Sequence, residues 1–291
     1  MPAPDRQRPG RGLRRRLRGL PIASIATLVV LLACALAPEA IAPHDPLMTN
    51  LSARLTPPAP LSGNWTYVLG TDDVGRDILS RIIHGARVSL LLAAISLLVG
   101  AAIGTTVGLV AGYSGGRRDA VLMRITDLTL SYPVILLALL LAVALGPQTS
   151  NVVIAIAFIL WARFARVVRG EALLIKQQPY IDAARVTGAS SPRIVLEHVL
   201  PNLLNIILVL ASLQLGWVIL IEASLSFLGA GVPPPAPAWG SMTALGRDYV
   251  VTAWWVPTVP GVAIMLSVLS LNLIGDWLRD RLDPRLHGAA G

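Results

Sequence analysis

Six apolar runs divide this chain, and several reach the ~20 residues that a helix needs to cross a bilayer. They occupy residues 20–41, 88–112, 121–145, 152–168, 203–227 and 257–274. Hydrophobic residues make up 54% of the chain and charged residues only 14%, an imbalance that belongs to polytopic membrane proteins rather than to soluble domains. The fold class expected is therefore all-α, a polytopic bundle of six transmembrane helices.

The formal net charge of +8 comes almost wholly from arginine and, taken alone, would be compatible with nucleic-acid binding. Its distribution argues against that. The basic residues flank the apolar runs in short clusters, which is the positive-inside pattern of membrane proteins. Arg14, Arg15, Arg16 and Arg18, then Arg117 and Arg118, then Arg163, Arg166 and Arg169 mark one side, the cytoplasmic one. With six spans, both termini are then cytoplasmic. Arg54, Arg76, Arg81, Arg87 and Arg247 fall on the other side, mostly in the longer first loop, where the rule is weak. The lone lysine, Lys176, follows no glycine-rich loop, so a phosphate-binding Walker A element is absent. The lone cysteine, Cys34, excludes an intrachain disulfide or a cysteine-based metal cluster.

Along the chain, residues 1–19 are rich in Pro, Gly and Arg and are expected to be a basic cytoplasmic tail near anionic headgroups. Arginines followed by a short apolar core also describe a signal peptide. Here the apolar stretch is long enough to span and more spans follow, so the segment is read as an uncleaved first helix. Residues 42–87 form an extracytoplasmic loop. Its acidic cluster, Asp72-Asp73 with Asp77, lacks the ligand spacing of a calcium loop. Thr71 or Asp72 is instead expected to cap a short interfacial helix bearing Ile78, Leu79, Ile82 and Ile83 on one face.

In the second run Gly100, Gly104, Gly108 and Gly112 recur every four residues and stack along one helical face, which predicts a close helix–helix contact within the subunit or with a partner. The third run carries Arg124 and Asp127 at i,i+3 spacing near its cytoplasmic end, expected to pair there, and Pro133 in its interior. The fifth carries Glu222 near its outer end, placed for a gate or an outer interface. The outer loop at 229–256 holds Trp239, Trp254 and Trp255, residues that usually anchor at headgroup level. A short cytoplasmic tail, residues 277–291, closes the chain.

One stretch between the fourth and fifth runs, within residues 170–202, breaks the pattern. It reads YIDAARVTGASSPRIVLEHVLPN over 180–202, an Ala-rich helical turn broken at Gly188. Lipid-facing helix does not carry so many charges, so this loop should sit in the cytoplasm in a shape suited to docking on a soluble partner. No catalytic constellation accompanies it. The four histidines (His44, His84, His198, His287) are scattered on both sides of the membrane, and no Gly-x-Ser-x-Gly elbow occurs. An ion-coupled secondary transporter would need deep ionisable groups and inverted repeats, and neither is visible.

Asp182-Ala183-Ala184, then Gly188, then Leu200-Pro201 resembles the EAA-x3-G-x9-I-x-L-P loop of binding-protein-dependent ABC importer permeases. Asp182 stands where Glu is usual and His198 where Ile is. Leu69-Gly70-Thr71-Asp72-Asp73-Val74-Gly75-Arg76-Asp77 is similar to the LGTDxxGRD element of C-type permeases in peptide and nickel importers. The stretches around Arg166, Glu222, Trp239 and Asp283-Pro284-Arg285-Leu286 are similar to those subunits too.

The resemblance implies a type I ABC importer permease in a prokaryotic inner membrane, one half of a pore for di- or oligopeptides. Its implied partners are a B-type permease, one or two ABC ATPase subunits that carry ATP and Mg, and an extracytoplasmic peptide-binding protein. No cofactor or metal is implied on this chain. Coupling to the ATPase falls on Asp182, Ala183, Ala184, Arg185, Gly188, Ala189, Ser190, His198, Leu200 and Pro201. An outer gate or binding-protein contact falls on Asp72, Asp73, Arg76, Asp77, Glu222 and Trp239.

Overall fold

A computed structural model describes residues 21–282. The basic tail at 1–19 and the Asp283-Pro284-Arg285-Leu286 stretch lie outside the described residues. Within them the chain is almost wholly helical, and the only β feature is an isolated bridge between Thr71 and Asp77. The main helices are α1 (Ile22–Leu36), α2 (Ile78–Ser114), α3 (Gly116–Ser131), α4 (Val134–Leu145), α5 (Thr149–Lys176), α6 (Pro179–Val186), α7 (Ser191–Phe227), α8 (Trp239–Gly246) and α9 (Trp255–Leu282). Four of them, α2, α5, α7 and α9, are long and apolar enough to cross a membrane. The fifteen residues of α1 cover about 22 Å, and its first turn borders the edge of the described chain.

The third expected span is broken rather than continuous: α3 and α4 meet at 95°. The cause is local. Pro133 lacks a donor N–H and drives the residue before it out of helical geometry, and Tyr132 is extended at φ −83°, ψ 144°. Asp127, expected to pair with Arg124 on its own helix, reaches across to Arg166 of α5 instead. Asp119 likewise takes both ends of the Arg169 fork, at 2.5 and 2.7 Å. The ionic partners of α3 are therefore supplied by α5, because the break at Pro133 lays the polar half of the run along it.

The separate interfacial helix is also corrected. Ile78 begins a single helix of 37 residues, about 55 Å long, that runs without a break to Ser114. Asp77 caps it, its carboxylate accepting from Ser80 N at 3.0 Å, whereas Asp72 folds back on the loop and accepts from Val74 N and Arg76 N. Arg87 then clips the end of α1 to α2, donating to Ala35 O at 2.8 Å and to both oxygens of Glu39.

The centre of the molecule is α5, whose Ala155, Ile156, Ile159, Leu160, Phe164 and Val168 are buried. The glycine stripe of α2 lies directly against it. A Cβ at Gly104 would sit 2.2 Å from Trp161 O, and those at Gly100, Gly108 and Gly112 would fall 2.7–2.8 Å from Leu160, Ala165 and Ala172. Lipid tails are as apolar as leucine, so helices in a bilayer associate through close packing rather than through expulsion of water. Four missing side chains in register let the two backbones approach, and Leu92, Leu97, Val218, Ile219 and Leu225 fill the core beside them. On the other face of α2, Leu91, Ile95, Leu98 and Ile103 remain exposed, the pattern of a surface that meets lipid or another subunit.

Candidate functional site

The loop between the fourth and fifth apolar runs folds as a short helix held on a small core of its own. Pro179 opens α6 as its first residue, a position where its missing N–H is not needed. Ile181 is fully buried, and with Ile194, Val199 and Leu203 of α7 it packs on Leu109 of α2 and Val168 and Ala172 of α5. The loop is thereby tied to one end of three long helices.

The helix ends in a Schellman cap. Gly188 N–H donates to Arg185 O and Ala189 N–H to Ala184 O, both at 3.0 Å, with Gly188 at φ +83°. Ala184 and Ala189 meet in the same apolar cluster, the contact that accompanies this cap. The structure thus splits the alanine pair. Ala184 faces inward and holds the loop to the bundle, while Ala183 faces out with Asp182, Arg185, Val186 and Thr187. Val186 is 89% exposed, an apolar side chain that the described residues leave uncovered. Asp182 and Arg185 pair at 2.9 Å on the exposed face. Arg185 and Lys176 both lie over the Tyr113 ring, and Lys176 Nζ donates to Tyr113 O at 2.5 Å.

Beyond the cap, Ser190 stands at the N-terminal boundary of α7 with its side chain making no capping bond. Pro201 does not interrupt that helix. A π-helical turn over Val195–Val199 precedes it, with Leu200 N–H reaching Val195 O, and this wider turn accommodates the missing donor at Pro201. His198 is half-buried at this turn, its carbonyl accepting from Asn202 Nδ2 at 2.6 Å. Leu200 packs on the small core.

The outer candidates occupy a different position from the one expected of a contact surface. Glu222 and Trp239 are fully buried, and Asp72 and Asp77 nearly so. Ser226 Oγ donates to Glu222 at 2.8 Å and Ser89 Oγ lies 3.5 Å from its other oxygen, while Trp239 donates from Nε1 to Ile82 O at 3.0 Å. Two residues read as outward-facing are thus a brace between α2, α7 and α8. Trp255 is also buried and bonds Thr71 O, which leaves Trp254 as the exposed tryptophan of that loop. The Leu69–Asp77 element is a structural corner. Asp72 holds Arg76 at 2.6 Å and faces Arg81 at 3.7 Å, and Asp77 binds His44 at 3.3 Å besides capping α2. Of the six outer candidates, Asp73 and Arg76 keep the most side-chain exposure, at 28% and 16%.

Sequence reading missed the inward role of Ile181 and Ala184, the tyrosine platform at Tyr113, and the interhelical pairs of Arg166 and Arg169. The three-residue spacing of Arg163, Arg166 and Arg169 was the available signal, since it puts all three on neighbouring rows of one helix. It also put Arg163 at the end of the fourth run. That residue sits halfway along α5, stacked on Trp217 at 3.9 Å and bonded to Gln214.

A bundle of long apolar helices with a capped, partly apolar polar loop mounted on one end defines a polytopic membrane protein. Residues 104–288 match the family described as the binding-protein-dependent transport system inner membrane component, and the chain belongs to it. It is 44% identical to a peptide transport system permease protein of Brucella suis, over 95% of this chain and 90% of that one. It is 43% identical to the di/tripeptide transport system permease DppC of Pseudomonas aeruginosa, over 90% and 87%. It is 44% identical to the glutathione transport system permease GsiD of Pectobacterium atrosepticum, over 96% and 92%. In fold it is similar to a chain of the inward-facing MetNI methionine ABC transporter, with a TM-score of 0.57, 20% identity and coverage of 70% of this chain and 96% of that one. The architecture is that of a multi-pass inner-membrane permease of the type I ABC importer class.

Proposed function

We propose that this chain is one half of the translocation pore of an ATP-driven importer for short peptides, and that the loop from Asp182 to Ser190 docks it to an ATPase subunit. The observation that carries the docking assignment is the exposed face of α6, with Val186 uncovered and Ile181 and Ala184 anchoring it to α2, α5 and α7. A loop joined rigidly to three spanning helices can pass a displacement of its partner into the bundle. It works as a switch when its docking energy differs between the two states of that partner.

The peptide class rests on the relatives' names. A related B-type permease as the second half, ATPase subunits holding ATP and Mg, an extracytoplasmic binding protein, and cytoplasmic termini complete the proposal. Catalysis belongs to the partners, and no residue of this chain is assigned a chemical step. The ion-coupled alternative was set aside for want of deep charges. Glu222 is buried but lies five residues from the end of α7, and Arg163 is half-buried, so neither reopens that alternative, and membership of the permease family favours the import reading.

Co-purification tests the proposal. The chain, expressed with its partners, is expected to retain an ATP-binding subunit through detergent extraction and to import peptide in vesicles only when ATP is supplied. Uptake by the lone chain on an ion gradient would overturn it.

A further inference from the structure

Arg163 is the third of three arginines on α5, and its surroundings differ from those of the other two. Arg166 and Arg169 each find a carboxylate on α3. Arg163 finds none among the described residues. Its Nη1 donates to Gln214 Oε1 at 3.3 Å, and its guanidinium plane lies 3.9 Å from the centroid of the Trp217 ring. The Nε–Nη2 edge, the one that matches a carboxylate in a two-bond fork, has no acceptor among the described residues. Arg163 is half-buried, so that edge is reachable.

Position within the helix gives the observation its weight. Arg163 lies fourteen residues from Thr149 and thirteen from Lys176, about 20 Å from either end of α5. Gln214 occupies the same halfway position on the Leu200–Phe227 part of α7. A cation inside a helix of spanning length faces a bundle interior or a water-filled path and marks an ion or solute route. Stacking on Trp217 fixes the plane of the guanidinium while leaving the fork open. A single arginine with one neutral partner also holds an anion loosely enough to release it, as passage through a membrane requires.

We propose that Arg163, positioned by Trp217 and Gln214, is a carboxylate-binding subsite on the translocation path that engages the C-terminal carboxylate of a peptide in transit. This rests on the import reading above.

The test uses the full complex with its binding protein in vesicles, comparing ATP-driven uptake of Ala-Ala with that of its C-terminal amide. The binding protein is the same throughout, so its own preference cancels when the acid-to-amide ratio of a variant is divided by that of the wild type. Arg163→Gln is expected to lower the ratio about tenfold, mainly through slower uptake of the free acid, and Arg163→Lys to restore part of it. Gln214→Leu, which keeps the cation, is expected to lower the ratio two- to threefold. Should Arg163→Gln disturb assembly, Gln214→Leu still decides.

An unchanged ratio in the Arg163 and Gln214 variants with ATP-driven uptake intact overturns the subsite and leaves the import reading standing. Equal loss of both substrates, with loss of the second permease subunit on co-purification, assigns the free edge to a partner's acid and likewise overturns it. Failure of the wild-type complex to import either peptide overturns both readings.

Discussion

At the residue scale the loop turns on Gly188. Its φ of +83° lies in the left-handed region, which a residue with a Cβ enters at a penalty of about 1–2 kcal/mol, more for a β-branched one. No atom lies within 4 Å of where a Cβ would be, so strain and not collision sets the outcome. Gly188→Val is expected to unwind the cap that joins Ala184 to Ala189, abolishing uptake while the partner's ATP hydrolysis continues uncoupled. Gly188→Asn, which tolerates the left-handed region, should retain most of the activity. Paired transport and ATPase assays on the two variants distinguish conformation from mere bulk; equal loss in both would remove the cap from the mechanism. The position of Gly188 after an Ala-rich turn was legible in the sequence. The opposite orientations of Ala183 and Ala184 were not, because adjacent residues on a helix differ by about 100° and only the packed neighbours say which one faces in.

At the element scale the contact between α2 and α5 is decided by absent side chains. Gly104→Leu would place atoms where the Trp161 carbonyl and Phe164 Cβ now stand, at 2.2 and 2.6 Å from the first added carbon. The helices must separate to admit them, and since close packing is what holds helices together in lipid, the loss should reach several kcal/mol. A fall in detergent melting temperature far larger than that of Leu98→Ala, a change on the exposed face of the same helix, is the expected measurement. Similar shifts for both would refute the close-approach argument. The four-residue glycine period announced that α2 makes a close contact. It did not say with what, because the partner's side of the contact is built from backbone carbonyls and small side chains of α5 that carry no comparable period.

The elements also show where a run of apolar residues misleads. Residues 121–145 have the length of a span, yet Pro133 turns them through 95° and lays Asp119 and Asp127 beside Arg169 and Arg166. Hydropathy measures transfer from water and is blind to the direction of a chain. Likewise the amphipathic start of α2 reads as a separate surface helix, although the chain continues through it without a break.

At the scale of the whole molecule, the orientation proposed from where the arginines cluster is testable on the protein as a unit. In a Cys34→Ser background, Val186→Cys is expected to react with a membrane-impermeant maleimide only from the cytoplasmic face and to be shielded once the ATPase partner binds. Trp65→Cys, at an exposed site of the first loop, should react only from the other face. Labelling of both from one side would overturn the topology, and unshielded labelling of position 186 in the assembled complex would overturn the docking assignment.

By itself the sequence determined the class of this protein: apolar runs of span length, arginines on one side of them, a polar interruption with the spacing of a docking loop, and no phosphate-binding loop of its own. These are properties of residues counted along one dimension, and local backbone preference together with transfer from water is enough to produce them. The tertiary structure decided which charges meet. Glu222 and Trp239 became an internal brace, Asp127 and Asp119 found α5, and Arg163 was left halfway along α5 with no carboxylate partner among the described residues. Pairings of that kind depend on which helices lie side by side. That in turn depends on a stripe of missing side chains and a single proline, whose consequences appear only when the chain is folded in three dimensions.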